Sequence, residues 1–252
     1  MTHPAYDFAN ILFAGPCNQR CPTCIGRQIA PALNRDNLDA FPPRNLEPFA
    51  ALLERHGVRQ VVVSGTNTDP QLYRHEARLI RWLRARLPGA QIALHTNGQL
   101  ALFKMDVLNT YNRATISFPS FDPATFARMT GTVHMPQLAT IVHAARIPIK
   151  VSCLVNADNA GQVESFMARC HQIGVRRLVF RRPFGATGGP ILPGRTPART
   201  YRGNPVYDVH GMEVTCWDFA RSSSTSLNLF SDGTISDRYL LAQAKPGSPP
   251  TA

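Results

Sequence analysis

Short runs of consecutive apolar residues alternate along this chain with stretches in which apolar positions return every three or four residues. A continuous run suits a strand buried on both faces, and the longer period suits a helix with one buried stripe. Residues 6–14 form the first run, ending in Ile11-Leu12-Phe13-Ala14 before the breakers Gly15-Pro16. Residues 25–44 carry no sustained period and are punctuated by Pro31, Asn34, Asp36, Asn37, Pro42 and Pro43, so they read as irregular. Leu46, Phe49, Ala50 and Leu53 then mark a helix over 45–56, with Gly57 placed to end it. From residue 60 a strand–helix unit repeats. Strands are predicted over 60–64, 91–96, 114–118, 147–155 and 175–181, with helices over 72–87, 100–109, 123–129, 136–145 and 160–173 between them. Leu72, Ala77, Ile80 and Leu83 are the expected buried stripe of the helix over 72–87.

Parallel neighbours need crossover connections, and the intervening helices supply them, so the pattern predicts an α/β fold with a parallel sheet. Six such units are too few for a closed eight-stranded barrel. Their spacing fits a partial barrel and a doubly wound sheet equally. Beyond residue 183 the texture changes. Residues 184–205 are rich in Gly, Pro and Arg and read as a connector or a basic flap. Residues 206–242 read as a small β-hairpin extension, with strands over 212–219 and 226–230 and a turn at Ser231-Asp232-Gly233-Thr234. The Pro- and Ser-rich tail, 243–252, is expected to be disordered.

Composition narrows the class. The chain has 252 residues, enough for one large domain, and 44% of them are hydrophobic, which argues against global disorder. No apolar run approaches the roughly 20 residues that span a bilayer. The start, Met1-Thr2-His3-Pro4, lacks a basic segment and apolar core of secretory type, so a cytoplasmic location is expected. Net charge is +11, mostly from arginine. That balance favours an anionic partner, although an arginine-rich genome would produce it as well.

Six cysteines are present, and three of them fall together in Cys17-Asn18-Gln19-Arg20-Cys21-Pro22-Thr23-Cys24. Three thiolates from one short loop suit a soft metal centre. A structural zinc site would need a companion Cys or His pair, and none stands near: the flanking histidines are His3 and His56. A zinc loop or a set of structural cysteines stays open as an alternative. A four-iron, four-sulfide cluster (4Fe–4S) held by three cysteines keeps one iron without a protein ligand. In this C-x3-C-x2-C spacing after a first strand, the chain resembles the radical S-adenosylmethionine (radical SAM) superfamily, over residues 6 to 183.

The resemblance implies a partial (β/α)6 barrel with parallel strands, Cys17, Cys21 and Cys24 as cluster ligands, and S-adenosylmethionine (SAM) as the second cofactor. It also implies SAM contacts at strand ends. Ser64-Gly65-Thr66-Asn67-Thr68-Asp69-Pro70 stands where relatives have Gly-Gly-Glu-Pro, so Gly65, Thr66, Asn67 and Asp69 are the candidates around the SAM amine, with no glutamate among them. Thr96 of Thr96-Asn97-Gly98, Ser117, Asn156 and Arg181 are the further candidates, Asn156 for the ribose and Arg181 for a carboxylate. His95 carries an acid–base reading beside that of a packed histidine. Thr23 replaces a commonly aromatic residue, so adenine packing falls to other groups. Ser236 stands where many relatives place a further cysteine, and Cys153, Cys170 and Cys216 are dispersed, so a single cluster is expected. Trp217, Asp218 and Tyr239 are candidates to cover the substrate side.

The activity implied is reductive cleavage of SAM, hydrogen abstraction from a small biosynthetic substrate of natural-product or nucleotide-like type, and a reductase or a flavodoxin or ferredoxin as electron donor. A ribosomal peptide or RNA substrate is the alternative within the class. A non-catalytic zinc or iron–sulfur protein that binds nucleic acid is the alternative outside it, although no aromatic-basic platform for stacking bases is legible.

Overall fold

Each of the first six strands runs in sequence order into a helical crossover. They are β1 (Phe8–Phe13), α1 (Leu46–Arg55), β2 (Gln60–Gly65), α2 (Glu76–Arg86), β3 (Gln91–Thr96), α3 (Met105–Leu108), β4 (Arg113–Ser117), α4 (Pro123–Thr130), α5 (Leu138–Ala144), β5 (Ile149–Leu154), α6 (Val163–Gln172) and β6 (Arg177–Arg181). Five strands follow: β7 (Arg199–Tyr201), β8 (Asn204–Val209), β9 (Met212–Trp217), β10 (Ser226–Leu229) and β11 (Ile235–Ser236). The protein is seen here in a computed structural model that describes residues 6–186 and 188–238. Tyr239 and the tail expected to be disordered lie outside the described residues.

The sheet order is β11-β10-β1-β2-β3-β4-β5-β6-β9-β8-β7. A doubly wound sheet reverses its order at a switch point. Here β1 to β6 lie side by side in sequence order and parallel, which is the partial-barrel arrangement. The two strands expected in the C-terminal third both form, on opposite edges: β10 pairs parallel with β1, and β9 pairs parallel with β6. Eight parallel strands therefore end on one rim. Antiparallel β11 on one side, and β8 with β7 on the other, continue the sheet outward.

Alternation along each strand sorts residues onto two faces. One face packs on the helices in two clusters. Ile11, Phe13, Val61, Val63, Ile92 and Leu94 meet the α1 and α2 side chains Leu46, Phe49, Leu53, Leu79 and Leu83. Ile116, Val151, Cys153, Leu178 and Phe180 meet Phe126, Ile141, Phe166 and Met167. Burial on this scale, at about 25 cal/mol per Å² of apolar surface, is what holds the helices to the sheet. The other face carries Asn10, Leu12, Val62, Ser64, Ala93, His95, Thr115, Lys150 and Ser152 by the same registers. On the first of these strands Asn10 donates to Asn228 of β10 at 2.7 Å.

Helix α2 departs from its expected start, as does α3, which begins at Met105 and not near residue 100. Residues Pro70–Leu72 form a 3-10 turn, and α2 begins only at Glu76, because the Asp69 carboxylate takes the Gln71 N–H and sets a separate turn. The buried stripe is Glu76, Leu79, Ile80 and Leu83 in place of the stripe through Leu72 and Ala77. Buried Glu76 is satisfied by Lys104 Nζ and Tyr111 OH, each at 2.9 Å. A charged residue on an inward face is invisible to hydrophobic periodicity.

Candidate active site

The three-thiol loop leaves β1 at the rim where the parallel strands end. It contains no helix until the 3-10 turn Ile25–Gln28, so neighbouring strand ends give it its shape. The Ala14 N–H is held by Asn37 Oδ1 at 3.0 Å and the Gly15 N–H by Asn67 Oδ1 at 3.1 Å. Thr68 Oγ1 donates to the Pro16 carbonyl at 2.5 Å. Asn97 Nδ2 donates to Asn18 Oδ1 at 2.7 Å, and the Arg20 N–H donates to the Thr130 carbonyl at 2.8 Å. Segments after β1, β2 and β3 and the end of α4 thus converge on residues 14–20.

Glycines permit the close approaches. At Gly131, a Cβ would stand 2.6 Å from the Arg20 carbonyl oxygen, and φ there is +68°. At Gly26, it would stand 2.3 Å from the Thr66 carbonyl oxygen. Both positions exclude any side chain.

All three loop cysteines are free and half-buried. Burial is the largest cause that raises the Cys17 and Cys21 thiols, and Cys21 reaches about 11. Each of these thiols also feels the other motif sulfurs, Cys17 through Cys24 and Cys21 through both Cys24 and Cys17. Among the described residues no three His, Cys, Asp or Glu side chains stand close enough together to hold one metal ion. Three soft thiol donors on one loop fit a multi-iron group that takes one thiolate per iron. Metal binding would displace the thiol protons.

The SAM candidates fall into two sets. Gly65 ends β2 beside Phe13 and opens a turn so tight that a Cβ would meet the Thr68 carbonyl oxygen. In that turn Thr66 Oγ1 bonds Asn34 Oδ1 at 2.6 Å, and Asn67 Oδ1 is committed to Gly15. Asp69 is 3% exposed and turns inward: it accepts from Thr96 Oγ1 at 2.9 Å, from the Gln71 N–H at 2.9 Å and from the Asn97 N–H at 2.5 Å. Burial pushes the Asp69 carboxyl up, while those donors pull it down. Thr96 is buried in the same network. Ser117, at the exposed end of β4, Asn156, in a turn that takes the Asp158 N–H, and Arg181, at the end of β6, lie on the far side of the rim. The chain thus gathers the β2 and β3 candidates around the cluster loop and sets the other three apart from it.

Sequence reading missed Lys150. It lies on the concave face, in register with Thr115 of β4, which pairs in turn with His95 of β3. Ile149-Lys150-Val151-Ser152 is a polar–apolar alternation that could have signalled it. Burial, followed by Arg181, Arg177 and Arg113, lowers the Lys150 ammonium to about 8, with Glu213 opposing. Burial, followed by Arg181, Lys150 and Arg113, lowers His95 to about 3, so the imidazole is neutral at physiological pH. This face is therefore basic, with a neutral histidine on β3 and an ammonium group on β5, Thr115 of β4 between them.

No family model matches the chain. Among curated proteins it is 30% identical over 187 residues to a GTP 3',8-cyclase of Acidothermus cellulolyticus, covering 69% of this chain and 50% of that protein. It is 26% identical over 201 residues to a GTP 3',8-cyclase of Rhodopseudomonas palustris, covering 75% of this chain and 57% of the relative. The chain thus spans about half the length of the curated relatives it matches. Among solved structures, Streptococcus suis SuiB bound to S-adenosylmethionine superposes with a TM-score of 0.57 at 16% identity, over 77% of this chain and 44% of that one. The enzyme anSMEcpe with bound AdoMet and a Kp18Cys peptide superposes with a TM-score of 0.55 at 12% identity, over 93% of this chain and 75% of that one. These two structures share the fold.

Gly131→Ala tests the seating of the loop. A left-handed L-residue costs about 1–2 kcal/mol, and the contact with the Arg20 carbonyl adds to it. The expected variant melts at lower denaturant concentration and keeps less iron after anaerobic reconstitution, whereas Gly57→Ala, which meets nothing within 4 Å, keeps wild-type iron.

Proposed function

We propose that the chain is a radical SAM enzyme, which cleaves SAM reductively and removes a hydrogen atom from a small acid-bearing substrate. The observation that carries this reading is the three-thiol loop clamped at the C-terminal rim of an open parallel sheet. Cys17, Cys21 and Cys24 would hold three irons of a 4Fe–4S cluster, leaving the fourth to the methionine end of SAM. When bound, the cluster supplies the electron that breaks the sulfur–C5′ bond of SAM, giving methionine and a 5′-deoxyadenosyl radical.

The chain's own residues orient and shield. Asp69 holds Thr96 and the Asn97 backbone, and through Asn97 it sets Asn18 of the cluster loop. Its carboxylate is committed there, so the SAM amine falls to Gly65, Thr66 and Asn67, with backbone carbonyls of that turn as acceptors. Ser117, Asn156 and Arg181 are placed to meet the nucleoside or carboxylate end of the cofactor. Trp217 stands opposite Arg181 in the register of β6 and β9 and covers that flank.

Below the rim, Lys150 and its arginine neighbours would take an anionic group of the substrate. The nucleotide in the relatives' name, GTP, has that chemistry, and a nucleotide-like substrate is the reading favoured. Peptides occupy some proteins of this fold, including anSMEcpe, but a central ammonium favours an acid-bearing ligand over a neutral peptide. The free cysteines fit a reducing, cytoplasmic setting with a low-potential electron donor. Among the described residues no helix is long and apolar enough to cross a membrane.

Anaerobic reconstitution tests the reading. About four irons per chain, and 5′-deoxyadenosine released from SAM with dithionite in the wild type but not in Cys21→Ala, is the expected result. Zinc in place of iron would contradict it. For the anion site, GTP serves as the probe. Lys150 binds an anion only while charged, so affinity should fall by up to about tenfold as pH is raised from about 7 to about 9, through the value near 8. His95 contributes no step near 6.5, and in Lys150→Met the pH dependence is lost. Equal binding across that range in the wild type would remove Lys150 from the site.

A further inference from the structure

The cluster loop contains a polar atom with no partner. Gln19, between Cys17 and Cys21, presents its backbone N–H to Cys17 Sγ at 3.4 Å. Its side-chain Oε1 accepts from Cys21 Sγ, also at 3.4 Å. Its Nε2 is buried and meets no hydrogen-bond acceptor. A buried donor left without an acceptor is costly, and such atoms in a native fold call for an explanation.

The explanation lies in what iron does to the thiol. The bond at Oε1 depends on the Cys21 S–H proton, and that proton leaves when sulfur binds a metal. A thiolate only accepts, so Oε1 would then face another acceptor while the amide N–H stayed idle. The terminal torsion of a glutamine is broad and roughly two-fold, so the amide turns at little cost. Turning brings Nε2 onto the sulfur and relieves both mismatches. Neighbouring Asn18 faces the other sulfur: its Oδ1 accepts from Asn97 Nδ2 at 2.7 Å and from Cys17 Sγ at 3.7 Å.

We propose that in the iron-loaded protein Gln19 donates from Nε2 to the Cys21 sulfur, beside its backbone N–H on Cys17, and that this pair of N–H···S bonds raises the reduction potential of the cluster. Added electron density on the sulfurs is stabilised by facing N–H dipoles, and hydrogen bonds to sulfur are among the factors that set cluster potentials. Gln19 is a positioning residue that acts through Cys21, and it touches no substrate. The proposal rests on the cluster reading above.

The test is an EPR-monitored redox titration of the reconstituted full chain, comparing wild type with Gln19→Met and Gln19→Glu. Gln19→Met keeps the approximate volume and removes the donor without adding charge, so it decides the matter. The expected result is wild-type iron content with a midpoint shifted to more negative potential, by enough to change the oxidised-to-reduced ratio about tenfold, which is about 59 mV for one electron. Gln19→Glu should shift further in the same direction. An unchanged midpoint in iron-replete Gln19→Met overturns the proposal. So does loss of iron from both variants, which would make Gln19 a structural part of the loop. Wild-type protein that holds zinc or no cluster would instead sink the reading beneath it, and the metal content of the wild type separates the two failures.

Discussion

The buried Asp69 carboxylate is the contact on which the arrangement of the rim depends. It sits between β2 and β3 and takes the Thr96 hydroxyl, the Gln71 N–H and the Asn97 N–H at once. Burial alone disfavours a charged carboxylate, and convergent donors are what make one tolerable. By fixing Asn97 it fixes Asn18, and with the Asn67, Thr68 and Thr130 contacts it determines where three thiols stand. A loop with no regular structure of its own acquires one geometry because several rigid strand ends agree on it.

The same sheet separates two environments. Its convex face is covered by helices through close apolar packing, and its concave face keeps polar and charged residues within the strands. Such placement is costly unless a ligand or a neighbour compensates. Arg113 finds Gln60 and Arg177 finds Glu213, both toward the N-terminal ends of the strands. Lys150 stands level with Arg177 in the register of β5 and β6, and His95 lies near the end of β3; burial and the surrounding bases push both toward neutrality. The function proposed above puts cofactor chemistry at the rim and anion recognition on the face below it, in a site shielded from water.

Much of this was legible in the chain. The C-x3-C-x2-C loop after a buried run, and the repeated strand–helix units, led to the element order observed, and Gly57 ends α1 in the left-handed conformation expected of a cap. Periodicity could not choose between a partial barrel and a doubly wound sheet, because both use the same unit; the choice lies in long-range strand pairing. Nor could it show that β9 and β10, close in sequence, attach to opposite edges. In the site, residue type suggested Asp69 for the SAM amine, but its burial and its three inward bonds could not be read from the sequence. Glu76 and Lys150 escaped notice because a charged residue inside a hydrophobic pattern reads as an exposed position. Gln19 carries no signal in the spacing of the motif, and only the fold sets it against two sulfurs.

The central claim is that three thiolates leave one iron available to SAM. The most direct measurement is EPR of the reduced cluster with and without SAM, followed by electron–nuclear double resonance with SAM labelled in its methionine nitrogen. The account predicts a spectrum that changes when SAM binds and a hyperfine coupling from the labelled amine, which only direct ligation produces. A spectrum indifferent to saturating SAM, with no coupling from the label, would contradict it.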